Sequence, residues 1–277
     1  MSPTPVTIAL RAYTTPEKRR KRRWKKRKSK TSWPDLVLIF DTETTTDPTQ
    51  RLTFGSYRVC SWTDDRRLEC FEVGLFYGDD LAEHDAQGFK TLERFAEERS
   101  DLKLRSRSDF IDNVFIPTAY SARGLVVGFN LPFDLSRLAV GWGKARKFFL
   151  GGFSFPLASW KGQANPFRPS VRVKHVDSKR AFTGFAGLKE PIDRRDLIPE
   201  DGSRKPRKRY RFRGYFLDLR TFAFALSNGS YSLASACEAF GVERGKLETE
   251  SHGEVTPEYI EYNLRDTEAT GALLEHL

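Results

Sequence analysis

Five oxygen-bearing side chains are spaced so that they could share one piece of chemistry: Asp41, Glu43, Asp134, Tyr262 and Asp266. Asp41 and Glu43 follow the apolar run Leu36 to Phe40, which reads as a buried strand, so both carboxylates project to one side of its end. Asp134 falls where a second apolar run, Gly124 to Phe129, passes into a helix whose first turn tolerates Pro132. Tyr262 and Asp266 are one turn apart on a closing helix that begins at Pro257 behind the N-cap candidate Thr256. Hard divalent cations take oxygen ligands, and two of them can flank a scissile phosphodiester. The expected cofactors are therefore two Mg2+ or Mn2+ ions, and no nucleophilic side chain is needed. The plainer roles are a loop acid for Asp41 or Glu43, a helix cap for Asp134 and a core aromatic for Tyr262.

The elements that must position these groups follow from the hydrophobic pattern. Leu52 to Trp62 and Leu68 to Tyr77 read as two strands of an antiparallel meander after the first. Residues 80–99 carry Leu81, Phe89, Leu92 and Phe95 at helical spacing, and a fifth strand is expected at Tyr215 to Leu219. One or two helices then run to about Phe240, with Ser232-Leu233 as a helix start. Residues 141–214 fit this scheme poorly and read as an insertion, with a hairpin at Val171–Val176 and Ala181–Phe185 and a surface-exposed His175.

The motifs Asp41-Thr-Glu43, Asn130-Leu-Pro-Phe133-Asp134 and Tyr262-Asn-Leu-Arg-Asp266 resemble, in order, the three motifs of the DEDD 3′–5′ exonucleases. The tyrosine form is indicated, because the histidine form would carry His where Glu261 stands. Asp41-Thr-Glu-Thr-Thr-Thr46 and the stretch from Thr256 to Asp266 look most like the proofreading domain of family B DNA polymerases, particularly protein-primed ones.

The resemblance implies an α/β, ribonuclease H-like fold: a mixed five-stranded sheet flanked by helices, with a basic insertion at about 141–214. It implies that Asp41 bridges both ions, that Glu43 and Asp266 complete one site and that Asp134 holds the second. Tyr262 would orient or help deprotonate the attacking water. Thr44, Asn130 and Phe133 would grip the 3′-terminal nucleotides, and Lys246 would contact the scissile phosphate. The implied activity is 3′–5′ hydrolysis of single-stranded DNA to nucleoside 5′-monophosphates. An exoribonuclease and a non-catalytic nucleic-acid-binding module are the alternatives. No polymerase motif follows before Leu277, which leaves a standalone nuclease and the first part of a polymerase both open. The implied partner beyond nucleic acid is a polymerase or a replication, repair or defence complex.

The formal charge of +10 is unevenly placed. Residues 1–30 hold twelve Lys or Arg against the single acid Glu17, so residues 1–33 read as a disordered basic arm ahead of one domain at 34–277. Arg204 to Arg213 adds seven cations and no acid, and the other 237 residues sum to −8. Within that run Arg207, Lys208, Arg209, Tyr210 and Arg211 interleave an aromatic with cations, a pattern suited to single strands.

With a mean hydropathy of −0.55 and no apolar run approaching the roughly 20 residues that cross a bilayer, a membrane protein is excluded. A secretory leader is not expected either, since no apolar stretch follows the basic one. Cys60, Cys70 and Cys237 form no CxxC, and the four histidines are scattered, so neither zinc nor a Ser/His/Asp hydrolase is supported. The thiols read as buried and reduced, in an intracellular protein that is cytoplasmic and nucleoid-associated, or nuclear in a eukaryote.

Overall fold

The computed structural model describes residues 33–177, 180–186, 212–243 and 253–277. The arm at 1–32, the cationic residues Arg207, Lys208, Arg209, Tyr210 and Arg211, and Lys246 lie outside the described residues. Residues Pro34–Leu277 make one compact unit.

The unit is α/β, built on a mixed sheet flanked by helices. Strand β1 (Leu36–Thr44) pairs antiparallel with β2 (Leu52–Trp62), which pairs antiparallel with β3 (Leu68–Tyr77), as the meander pattern predicts. The expected helix at 80–99 is two, α1 (Leu81–His84) and α2 (Ala86–Glu97). The chain breaks at Asp85, whose carboxylate accepts from the Gly88 N–H at 2.8 Å and so starts the second helix.

Strand β4 (Leu102–Ser106) then adds parallel to β3, so the sheet has six strands where the sequence pattern gave five. A short turn, α3 (Arg107–Asp109), leads into a wide helix at Phe110–Ser121, in which the Ala122 N–H reaches the Pro117 carbonyl five residues back. This helix is buried on nearly every side, through Phe110, Ile111, Val114, Phe115, Ile116 and Ala119.

Strand β5 (Leu125–Gly128) returns parallel to β1, and α4 (Leu131–Arg137) follows with Pro132 in its first turn. Residues 141–214 carry short strands of their own: β6 (Gly143–Lys144), β7 (Phe153–Phe155), β8 (Ser159–Trp160), β9 (Gln163–Ala164), β10 (Val171–His175) and β11 (Ala181–Phe185). Four of them form a sheet in the order β11-β10-β7-β6, and β10 and β11 are the expected hairpin with His175 exposed. Strand β12 (Tyr215–Asp218) pairs parallel with β5 and gives the main sheet the order β12-β5-β1-β2-β3-β4. Helices α5 (Leu219–Ser227), α6 (Leu233–Ala239) and α7 (Pro257–His276) complete the unit. Ser232 starts α6 through a reciprocal cap with Ser235, and the Thr256 side chain caps α7 as expected.

Alternation along β1 assigns its two faces. Leu38 and Phe40 join the wide helix, α4 and the insertion sheet in one core, whereas Val37 and Ile39 pack with α6 and α7 in another. A buried cation fixes the first core to the sheet. Arg107 donates to both the Leu138 and Leu157 carbonyls, at 2.9 and 2.8 Å, while pairing with Asp79 at 2.6 Å.

The cysteine reading needs correction. Cys60 and Cys70 face each other across β2 and β3 and are joined as a disulfide, so only Cys237 is a buried thiol. The expectation of a reducing compartment therefore loses its support from these two residues. Among the described residues no helix is long and apolar enough to cross a membrane.

Candidate active site

Strand β1 runs further than the apolar pattern implies, to Thr44, so Asp41 and Glu43 are strand residues that pair with Ser56 and Phe54 of β2. Gly55 sits opposite Thr42, and a Cβ there would overlap the Asp41 carbonyl oxygen and the Phe76 ring. Close backbone approach at this point requires glycine.

By alternation Asp41 and Glu43 face α7. The Asn263 amide donates to Asp41 Oδ2 at 2.8 Å and to Glu43 Oε1 at 3.1 Å, tying the two carboxylates together. The Tyr259 hydroxyl donates to the other Glu43 oxygen. One turn on, the Tyr262 hydroxyl bonds to Asp266, a nearly buried carboxylate. Burial raises both phenols above their ordinary range, and the neighbouring carboxylates add to it: Glu43 beside Tyr259, Asp266 beside Tyr262. Tyr262 is thus held as a hydrogen-bond donor, which fits orienting a water better than deprotonating it.

Thr42 points the other way, toward α4, and its hydroxyl donates to Asp134 Oδ1 at 2.7 Å. Asp134 Oδ2 is buried without a hydrogen-bond partner. Burial pushes this carboxyl up to about 7; the Thr42 hydroxyl opposes that shift, and the charges of Asp218 and Glu43 reinforce it. Asp134 occupies the first turn of α4 rather than its cap position.

Asp218, at the end of β12, belongs to the same neighbourhood. Thr221 donates to its Oδ2 at 2.6 Å, its Oδ1 is buried without a partner, and burial raises its pKa. Sequence reasoning missed Asp218, Asn263 and Tyr259. The signals were present: Asp218 ends an apolar strand as the acids of β1 do, and Tyr259 and Asn263 are i, i+4 on the helix that carries Asp266.

A cleft of about 540 Å3 opens between these elements, lined by Asp41, Asp266, Asn130, Phe129, Tyr231 and Arg220 among others. Asn130 precedes α4, and its side chain makes no capping bond. Phe133 does not line this cleft; it lies under the Arg137 guanidinium, 4.9 Å from the ring centre. Thr44 ends β1 opposite Leu52 and is likewise outside the lining. A second cleft of similar volume lies behind α7, but Arg67 and Glu275, at 3.1 Å, and Arg58 and Glu268, at 3.8 Å, neutralise each other there.

The donor set, all carboxylate and phenol oxygens, with Asp134 and the neighbouring Asp218 each holding a buried oxygen that lacks a partner, suits a hard divalent cation. Among the described residues no three His, Cys, Asp or Glu side chains are gathered closely enough to grip one ion. Asn263 sits between Asp41 and Glu43, and Thr42 occupies Asp134. A cation entering here has to displace these donors.

Comparisons with protein-family models, curated proteins and solved structures find no match to this chain.

Proposed function

We propose that this chain is a metal-dependent 3′–5′ exonuclease that shortens single-stranded DNA to nucleoside 5′-monophosphates, on a ribonuclease H-like domain. One observation carries the reading. Acids from β1 and α7, far apart in the chain, line a single cleft, and Asp134 on α4 is within reach of the Glu43 charge. So many carboxylates together repel one another unless a cation is held among them.

Asp41, Glu43 and Asp266 would hold one divalent ion, and Asp41 with Asp134 a second. When bound, two such ions supply Lewis acidity to the phosphodiester and ease the generation of a nucleophile from water. Tyr262 orients that water through its hydroxyl. Phe129 and Tyr231 offer apolar faces to the terminal base, and Arg220 and Asn130 supply donors to the phosphate and sugar.

The test uses the full chain with 5′-labelled single strands of DNA and RNA in Mg2+ or Mn2+. A ladder shortening from the 3′ end of DNA, with mononucleotide product, is expected. Intact DNA in Mn2+ overturns the reading, and RNA cleaved at least ~10-fold faster replaces it with an exoribonuclease.

A further inference from the structure

The insertion sheet has two faces of opposite character. Val171 and Val173 of β10, with Phe155 and Phe185 across from them, point into the core shared with α4. Alternation sends Arg172 and Lys174 to the outer face, where Phe182 stands directly across from Lys174. Phe148 meets Phe182 with ring centroids 5.5 Å apart, and the buried Phe149, 5.2 Å away, anchors it from below. The guanidinium of Arg213, the described end of the cationic run from Arg204, lies 5.5 Å from the Phe148 ring centre.

Phe148 and Phe182 are 55% and 51% exposed, a costly display of apolar surface unless something covers it. Lys147, just before Phe148, holds a left-handed backbone with φ 61°, uncommon for a residue with a Cβ. Among the described residues no carboxylate pairs with Lys147, Arg172, Lys174 or Arg213. The face therefore combines open aromatic rings with uncompensated positive charge.

We propose that this outer face binds single-stranded DNA, with unstacked bases against Phe148 and Phe182 and the backbone phosphates neutralised by Arg172, Lys174, Lys147 and Arg213. An acidic protein surface would satisfy the charges but not two flat rings; a duplex would satisfy the charges but keep its bases stacked. The choice of DNA over RNA rests on the proposed function, whereas the face itself does not. It is turned away from the core that holds α4 and serves as a holding site for strand already outside the cleft.

The experiment is fluorescence anisotropy of the full chain with a labelled single strand of about 12 nucleotides, within the span of one such platform, in EDTA so that nothing is hydrolysed. The Phe148→Ala/Phe182→Ala pair is expected to bind at least ~5-fold more weakly with its salt dependence kept, and Phe148→Trp/Phe182→Trp to restore affinity. Arg172→Glu/Lys174→Glu is expected to weaken binding and to flatten the salt dependence by about two phosphate contacts. Thermal melting confirms that each variant is folded. Alanine variants that bind within ~2-fold of the parent overturn the proposal, as does duplex DNA, RNA or polyglutamate competing better than the single strand. If binding responds as expected but no strand is shortened in Mn2+, the hydrolytic reading falls and this one stands.

Discussion

The cleft at β1 and the outer face of the insertion sheet are built on opposite principles. In the cleft, charged groups are drawn back from water and met by neutral donors: Asn263 ties Asp41 to Glu43, Tyr259 caps Glu43, and Thr42 holds one oxygen of Asp134 while the other is left unmatched. On the outer face the rings of Phe148 and Phe182, with Lys147 and Arg213, stand in solvent, Arg172 and Lys174 are half-buried, and no described acid answers them. Buried groups need an exact partner, because an unmatched one loses its full hydration; exposed groups need only proximity. The cleft is thus suited to discriminating chemistry and the face to tolerant holding.

The sharpest way to separate the two is to remove a carboxylate. Asp41→Ala or Asp266→Ala is expected to lower DNA hydrolysis by roughly 10³-fold or more, with circular dichroism and EDTA-phase binding unchanged. Equal loss of strand binding would mean that the cleft, not the face, holds the DNA.

The next largest effect should come from what both regions share. Arg107→Met strands the Leu138 and Leu157 carbonyls and leaves Asp79 without its cation, so urea unfolding is expected to show a loss of about 3 kcal/mol. Because those carbonyls join α4 to the start of the insertion, hydrolysis and binding should fall together.

Protonation offers a subtler contrast. Asp134 keeps its proton in the folded chain up to about 7, against an ordinary value of 3.8. Between those values the folded state binds more protons than the unfolded one, so stability of the metal-free chain falls as pH rises through the window and levels above it. Asp134→Asn should flatten that fall in Tm measured from pH 4 to 8; an unchanged profile would locate the titration elsewhere.

The smallest effect expected is that of Tyr262→Phe. It removes one donor while keeping the ring, and should cost about 10-fold in turnover with little change in affinity. Wild-type turnover would leave the phenol without a role.

Much of this architecture is legible in the chain. The apolar run before Asp41, the alternating meander and the Thr256-Pro257 start each carry a local physical signal, and each element stands where that signal puts it. The stretch from Leu102 to Ser121 is not legible, since a helix buried on nearly every side has no broad polar stripe and Pro117 argues against one. The motif acids are readable one by one, yet the groups that hold them are not. Thr42, Asn263 and Tyr259 are ordinary residues whose partners lie up to 222 positions away, and only the fold introduces them.

That separation in the chain sets an order of events. As the chain leaves the ribosome, β1 and its acids emerge well before the helix that bears Asn263, Tyr262 and Asp266, which follows every other described element of this unit. Until α7 docks, the cleft lacks a wall and half its acids, and Asp41 and Glu43 have nothing to hold them together. A nascent or truncated chain therefore carries its cleft half-made, and the cleft is completed in one closing contact between β1 and α7.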